Sequence, residues 1–237
     1  MSILVCFALK EEASPFHKIA AAHPGIFTII VGIGRQNAEK SVRDFLPGGA
    51  SVPASREQLM SGPARLAGTL APPSFMFTCG FAGGLNPDLK LGDVVFETGN
   101  QSETPHVVSY ERLVAAGAKP AKFFCADRIA TTVAEKKALR AETGADVVEM
   151  ESAAIQAVCA EHGIPCVTLR VISDTADEDL PLDFNALAKP DKSLDFGKLA
   201  WAIAKSPGKI GALMALQKKT SFAAQQLSAV LAKVISP

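Results

Sequence analysis

The chain lacks an excess of charge of either sign. Lys and Arg together number 24 and Asp and Glu 24, so the net charge at pH 7 is zero. That removes the electrostatic footprint of a nucleic-acid binder and leaves no polybasic patch, so no nucleic-acid or membrane partner is expected. No run approaches the length of about 18 apolar residues that a spanning helix needs. The opening MSILVCFALKEEAS has neither the basic flank nor the cleavage site of a signal peptide, and a cytoplasmic location is expected. Cysteines are few, scattered and odd in number (Cys6, Cys79, Cys125, Cys159, Cys166), with no CxxC. This predicts reduced, packed thiols in place of disulfides or a zinc site. The four histidines (His17, His23, His106, His162) show no ligand spacing, so no metal is expected. The GIG at 32–34 lacks the third glycine of a dinucleotide fingerprint, because Asn37 stands there.

What is present is an apolar fraction of 48% over 237 residues, enough for one domain with its own core. Apolar runs of strand length alternate with helical patterns, the signature of an α/β fold. Strands are predicted at 2–9, 27–34, 74–85, 92–99, 121–125, 145–148 and 166–172. Helices are predicted at 12–22, 36–45, across TTVAEKKALRAETG, from Met150 onward, at 193–205 and at 208–234. The last is expected to break near Thr220–Ser221. Its end carries Leu227, Val230, Leu231 and Val234 on one face, a stripe for packing. Residues 47–74, rich in Pro, Gly, Ser and Ala, read as a loop or a weakly anchored helix.

The stretch VEMESAAIQAVCAEHGIPCVTLRVISDTAD (148–177) carries most of the functional signal. From Met150, small residues Ala153, Ala154, Ala157 and Val158 fall on one helical face, which predicts close packing on a sheet. Gly163 and Pro165 stop the helix. CVTLRVI is apolar enough for a parallel strand covered on both faces. Ser173 and Asp174 then lie at its carboxyl end, where open α/β sheets bind ligands. Glu149 and Glu151 sit at the carboxyl end of the preceding strand, so both sets of acids can face one crevice. Acids in a first helical turn are favoured by the helix dipole alone, and an Asp after a strand is often a helix cap. Arg170 inside an apolar strand is harder to dismiss, since a buried guanidinium needs a carboxylate partner.

The combination VVEMESAAI…GIPCVTLRVISDTAD, with FALKEEAS, VGIGRQNAE and TCGFAGGLNPDLKLGDVV before it in order, resembles the purine nucleoside phosphorylase and nucleosidase superfamily. Among its members it is similar to the 5′-methylthioadenosine/S-adenosylhomocysteine nucleosidases. The resemblance covers residues 2–180; EKKALRAETGADVVEMES and DEDLPLDF resemble a subgroup linked to hopanoid biosynthesis, which acts on adenosylhopane. It implies a single α/β domain over 1–237, with a central, mixed, mostly parallel twisted sheet flanked by helices and a C-terminal helical extension at about 190–235. It also implies cleavage of the N-glycosidic bond of a purine nucleoside by a homodimer or larger homo-oligomer, with no metal or redox cofactor.

Residue by residue, the resemblance makes Asp174 the acid at purine N7, oriented by Ser173. Glu12 becomes the base that positions water, and Glu151 the ligand of the ribose hydroxyls with Met150 packed beside the sugar. Phe123 becomes the aromatic stacked on the base, and Arg170 a group on the nucleophile side. Glu149, Gly80 and Phe81 complete the expected substrate contacts. A raised pKa for the acid is expected from burial and neighbouring glutamates. Phosphorylases of this superfamily hold phosphate with an Arg and a Ser or Thr around the first Gly turn, where this chain has Thr78 and Phe81. Phosphate as co-substrate would therefore need Arg35 or an arginine from a neighbouring subunit. Water is the favoured nucleophile, a phosphorylase the alternative, and a silent nucleoside-binding protein the reading from another class. Residues 100–120 and the C-terminal helices are expected to shape the pocket for the 5′ substituent.

Overall fold

The computed structural model describes residues 2–46, 72–98, 108–189, 192, 195–206 and 208–235. The expected loop at 47–74 lies outside them except for its last residues, as does most of the first half of 100–120.

Strand β1 (Ile3–Phe7) explains the layering. All five of its residues are buried, and successive side chains go to opposite faces. Ile3, Val5 and Phe7 join one core; Leu4 and Cys6 join another. A strand with two apolar faces must be covered twice. β1 pairs in parallel with β2 (Ile26–Ile30) and β3 (Phe75–Gly84), and β3 pairs in parallel with β8 (Cys166–Asp174). β4 (Val94–Glu97) runs antiparallel to β8 and parallel to β5 (Lys119–Ala121). The order is β2-β1-β3-β8-β4-β5. At its far end β3 also pairs antiparallel with β7 (Val147–Glu149), which pairs in parallel with β6 (Phe123–Cys125). The sheet is mixed and mostly parallel, as expected.

On one face lie α1 (Lys10–Ala13), a 3-10 turn (Ser14–Phe16), α2 (His17–Ala22), α4 (Tyr110–Ala116) and the long α9 (Lys209–Ile235). On the other lie α3 (Arg35–Phe45) and α6 (Ser152–Glu161). α5 (Val133–Thr143) starts on a capping box, with Thr132 and Glu135 satisfying each other's backbone N–H groups. The short α7 (Phe184–Leu187) and α8 (Phe196–Lys205) lead into α9.

Two expectations change here. α9 is unbroken at Thr220–Ser221, because the Thr220 hydroxyl satisfies itself on the Gln217 carbonyl within the helix. Hydroxyl residues cost a helix interior only tenths of a kcal/mol, less than the packing of Leu227, Leu231 and Val234 returns. That stripe packs on the domain, as the spacing predicts, and joins α9 to the core. In α6 the inward face is Ser152, Ile155, Val158 and Cys159, while Ala153 and Ala157 face outward. The larger side chains bury more apolar area and set the rotation of the helix. Among the described residues no helix is long and apolar enough to cross a membrane.

Candidate active site

The carboxyl ends of β7 and β8 converge with α1 on a cavity of about 270 Å³. Glu12, Phe81, Glu149, Met150, Glu151, Ser173 and Asp174 all line it. A second chamber of about 460 Å³ shares the wall formed by Ile33, Arg128, Ile129, Met150 and Phe184.

The register between β3 and β8 shifts at Ala82/Gly83, so that Gly83 faces Asp174. Such a bulge re-aims a side chain at the rim of a sheet, and here it falls at Ser173–Asp174. Both oxygens of Asp174 are held. The Ser173 hydroxyl donates to Oδ1 at 2.7 Å, and Lys136 Nζ lies 2.6 Å from Oδ2.

Arg170 is buried, and its expected carboxylate partners are present. Glu149 lies 2.6 Å from its Nη2, and Glu151 3.3 Å. Nη2 also donates to Thr78 Oγ1 at 3.3 Å. Gly80 is the residue that admits this group. A side-chain carbon there would collide with the Arg170 guanidinium and stand 2.8 Å from Glu12 Oε1. Gly80 therefore makes room for the charged groups and does not itself line the cavity. Glu149 lines it, but protein donors occupy its oxygens: the N–H groups of Glu151 and Ser152, the Ser152 hydroxyl and Arg170. It starts α6 and holds Arg170. Burial pushes its carboxyl up, but Arg170, the Ser152 hydroxyl and the two N–H groups outweigh that and hold it below the usual range.

Glu151 Oε1 accepts from the Gly34 N–H at 2.9 Å. Gly34 adopts φ +87°, a conformation open to glycine at little cost, so the GIG turn delivers its N–H to Glu151. Burial raises the Glu151 carboxyl against the opposing pull of Arg170. Glu12 is caught between two backbone donors: Phe81 N–H to Oε1 at 2.8 Å and Leu9 N–H to Oε2 at 2.9 Å. Burial pushes its carboxyl up to about 7, although the Phe81 N–H and Arg170 oppose the rise.

A family model described as the phosphorylase superfamily matches residues 118–205. The 5′-methylthioadenosine/S-adenosylhomocysteine nucleosidase of Shewanella baltica is 27% identical over 222 residues, covering 78% of this chain and 89% of that protein. The solved structure of a nucleosidase of the same name from Campylobacter jejuni superposes with a TM-score of 0.62 at 16% identity. It covers 99% of this chain and 98% of the other. The family match is confined to residues 118–205, and the likeness to the solved structure is one of fold. Similarity to the aminodeoxyfutalosine nucleosidase of Helicobacter pylori is higher but more local. It is 37% over 81 residues, so the matched part spans 34% of this chain and 31% of that relative.

Two of the expected residues stand away from the cavity. Phe123 is absent from the cavity wall. In register with Val147 on β7, it packs on Ala82, Val147 and Ile172. That part of the wall is formed instead by Arg128, Ile129 and Ala130. Arg35 lies in a separate hollow of about 220 Å³, bonded to the Cys125 carbonyl and 3.4 Å from Asp127. It is no phosphate anchor for the main cavity. Burial raises the carboxyls of both Glu12 and Glu151, and the Lys136 ammonium lies beside Asp174.

Sequence reasoning missed Lys136, Ile129 and Phe184. Lys136 has the same chemistry as its neighbour Lys137, and only the facing of α5 separates the buried one from the exposed one. Of the regions expected to shape the 5′ pocket, α9 contributes Leu216 and Thr220. The described part of 100–120 contributes nothing to its wall.

Proposed function

We propose that this chain cleaves the N-glycosidic bond of a purine nucleoside, adenine being the favoured base, with water as the nucleophile. The observation that carries the reading is Glu12. It is a buried carboxyl in the same cavity as Glu151 and Asp174, fixed at both oxygens and poised at about 7. A general base works best when its pKa lies near the working pH. A protein that only bound nucleosides would have no use for such a group.

The chemistry follows from the arrangement. Breaking the bond builds positive charge at C1′ and negative charge on the departing base. Glu151 and Glu12 lie on the side that favours the first, and Asp174 passes a proton to N7 to relieve the second. Glu12 takes a proton from the attacking water. Four carboxyl groups (Glu12, Glu149, Glu151, Asp174) share this site with two buried cations (Arg170, Lys136), while Arg128 at the wall is paired with Glu135. That surplus repels a phosphate dianion, Thr78 is already engaged by Arg170, and desolvating phosphate without free donors is costly. The phosphorylase reading has one observation in its favour: Arg170 Nε is buried without a partner. The adjoining chamber offers room for a substituent on the sugar.

The test is release of free base from a panel of purine nucleosides, followed by chromatography for the wild type and Glu151→Gln. The wild type is expected to release adenine. The variant should lose ribosides by on the order of 10-fold or more, the worth of a charged hydrogen bond, while 2′,3′-dideoxy analogues change little. Equal losses on both would remove Glu151 from the sugar site.

A further inference from the structure

Lys136 has no exposed surface. A buried ammonium is tolerated only when paired and fully hydrogen-bonded. Lys136 meets that condition with hydrogen bonds to the Thr175 carbonyl at 2.7 Å and the Glu178 carbonyl at 2.8 Å and an ion pair with Asp174 Oδ2 at 2.6 Å. These three oxygens surround the ammonium and fix its place. Thr175 and Glu178 belong to the segment that leaves β8 directly after the acid. The same segment is tied to α9 by the ion pair of Glu178 with Lys219, and to α5 by the Asp179 carboxylate on the Val133 N–H.

We infer that Lys136 is a positioning residue of the reaction, acting through Asp174. An acid that must hand a proton along one direction needs its other oxygen held. Ser173 restrains Oδ1 along the strand, and Lys136 restrains Oδ2 from α5. The ammonium also offsets one negative charge in a cavity that already holds Glu12, Glu149 and Glu151. Without it, the carboxylate of Asp174 would turn from the base or draw in water. Misplacing a reacting group by about 1 Å costs on the order of 10²-fold in rate.

The inference rests on the nucleosidase reading, and the experiment separates the two. Wild-type release of adenine tests that reading alone. Lys136→Met, matched in length and uncharged, is compared with its parent in two backgrounds, wild type and Asp174→Asn. In the wild-type background kcat is expected to fall by on the order of 10²-fold with KM changed only a few-fold. In the Asp174→Asn background the same substitution should cost nothing further, because the group it serves is gone. A lysine that merely props up the fold would lower activity by the same factor in both backgrounds, and that result overturns the inference. So does an unchanged kcat in the wild-type background. If Lys136→Met does not fold by thermal melt, Lys136→Gln, which keeps a donor without the charge, is carried through the same pair of backgrounds.

Discussion

Asp174→Asn is expected to leave the fold intact and to lower adenine release by on the order of 10²-fold or more, the usual cost of losing a general acid. The amide keeps the volume of the carboxyl and an oxygen that can face Lys136. Lys136 also retains its two backbone carbonyls, so the ammonium is not stranded. What is lost is the proton for N7. Turnover and melting temperature measured on the same preparation decide the matter. Near-wild-type turnover would remove Asp174 from the mechanism, and a collapsed melt would show that its role is structural.

Glu12→Gln is expected to abolish hydrolysis. The substitution removes the base and also sets an amide NH2 against the N–H of Leu9 or Phe81, both of which now point at carboxylate oxygens. In the wild type, activity should climb with pH and level off above about 7, where Glu12 becomes ionised. The same group has a stability signature of defined sign. Its folded pKa of about 7 lies above the ordinary 4.5, so its contribution to stability is fully present below about 4.5 and is lost as pH rises through about 7. Melting curves of wild type and Glu12→Gln should therefore shift relative to each other across that window, the wild type losing ground as pH rises. A pH-independent difference would mean that Glu12 is already ionised at acid pH and is no poised base. Retained hydrolysis in the variant would remove it from the reaction.

Much of this site was legible because its chemistry conflicts with its surroundings. Arg170 in an apolar strand demanded a carboxylate, and Glu149 and Glu151 supply it. The acids at the carboxyl ends of two strands had only one place to meet. The glycines of GIG and FAGGL marked close approach, although their partners, Glu151 for one and Asp174 for the other, came only from the structure. The remainder was hidden for physical reasons. Lys136 differs from Lys137 only in which way it faces, and rotation of a helix is set by tertiary packing that no local pattern reports. The face of α6 shows the same limit, since Ile155 and Cys159 outweigh the alanines once the sheet is in place. Phe123 stands five residues before Arg128 of the cavity wall, but β6 pairs so that its ring packs against the core. The apolar wall of Ile129, Phe184 and Leu216 is assembled from three distant segments whose residues are ordinary core residues by type.

Hydrolysis in ¹⁸O-labelled water, with and without phosphate, tests the central claim most directly. If the carboxylate-rich cavity activates water, base is released at the same rate in both buffers, and the free sugar carries the label at C1. A strict requirement for phosphate, with an unlabelled sugar 1-phosphate as product, would contradict it.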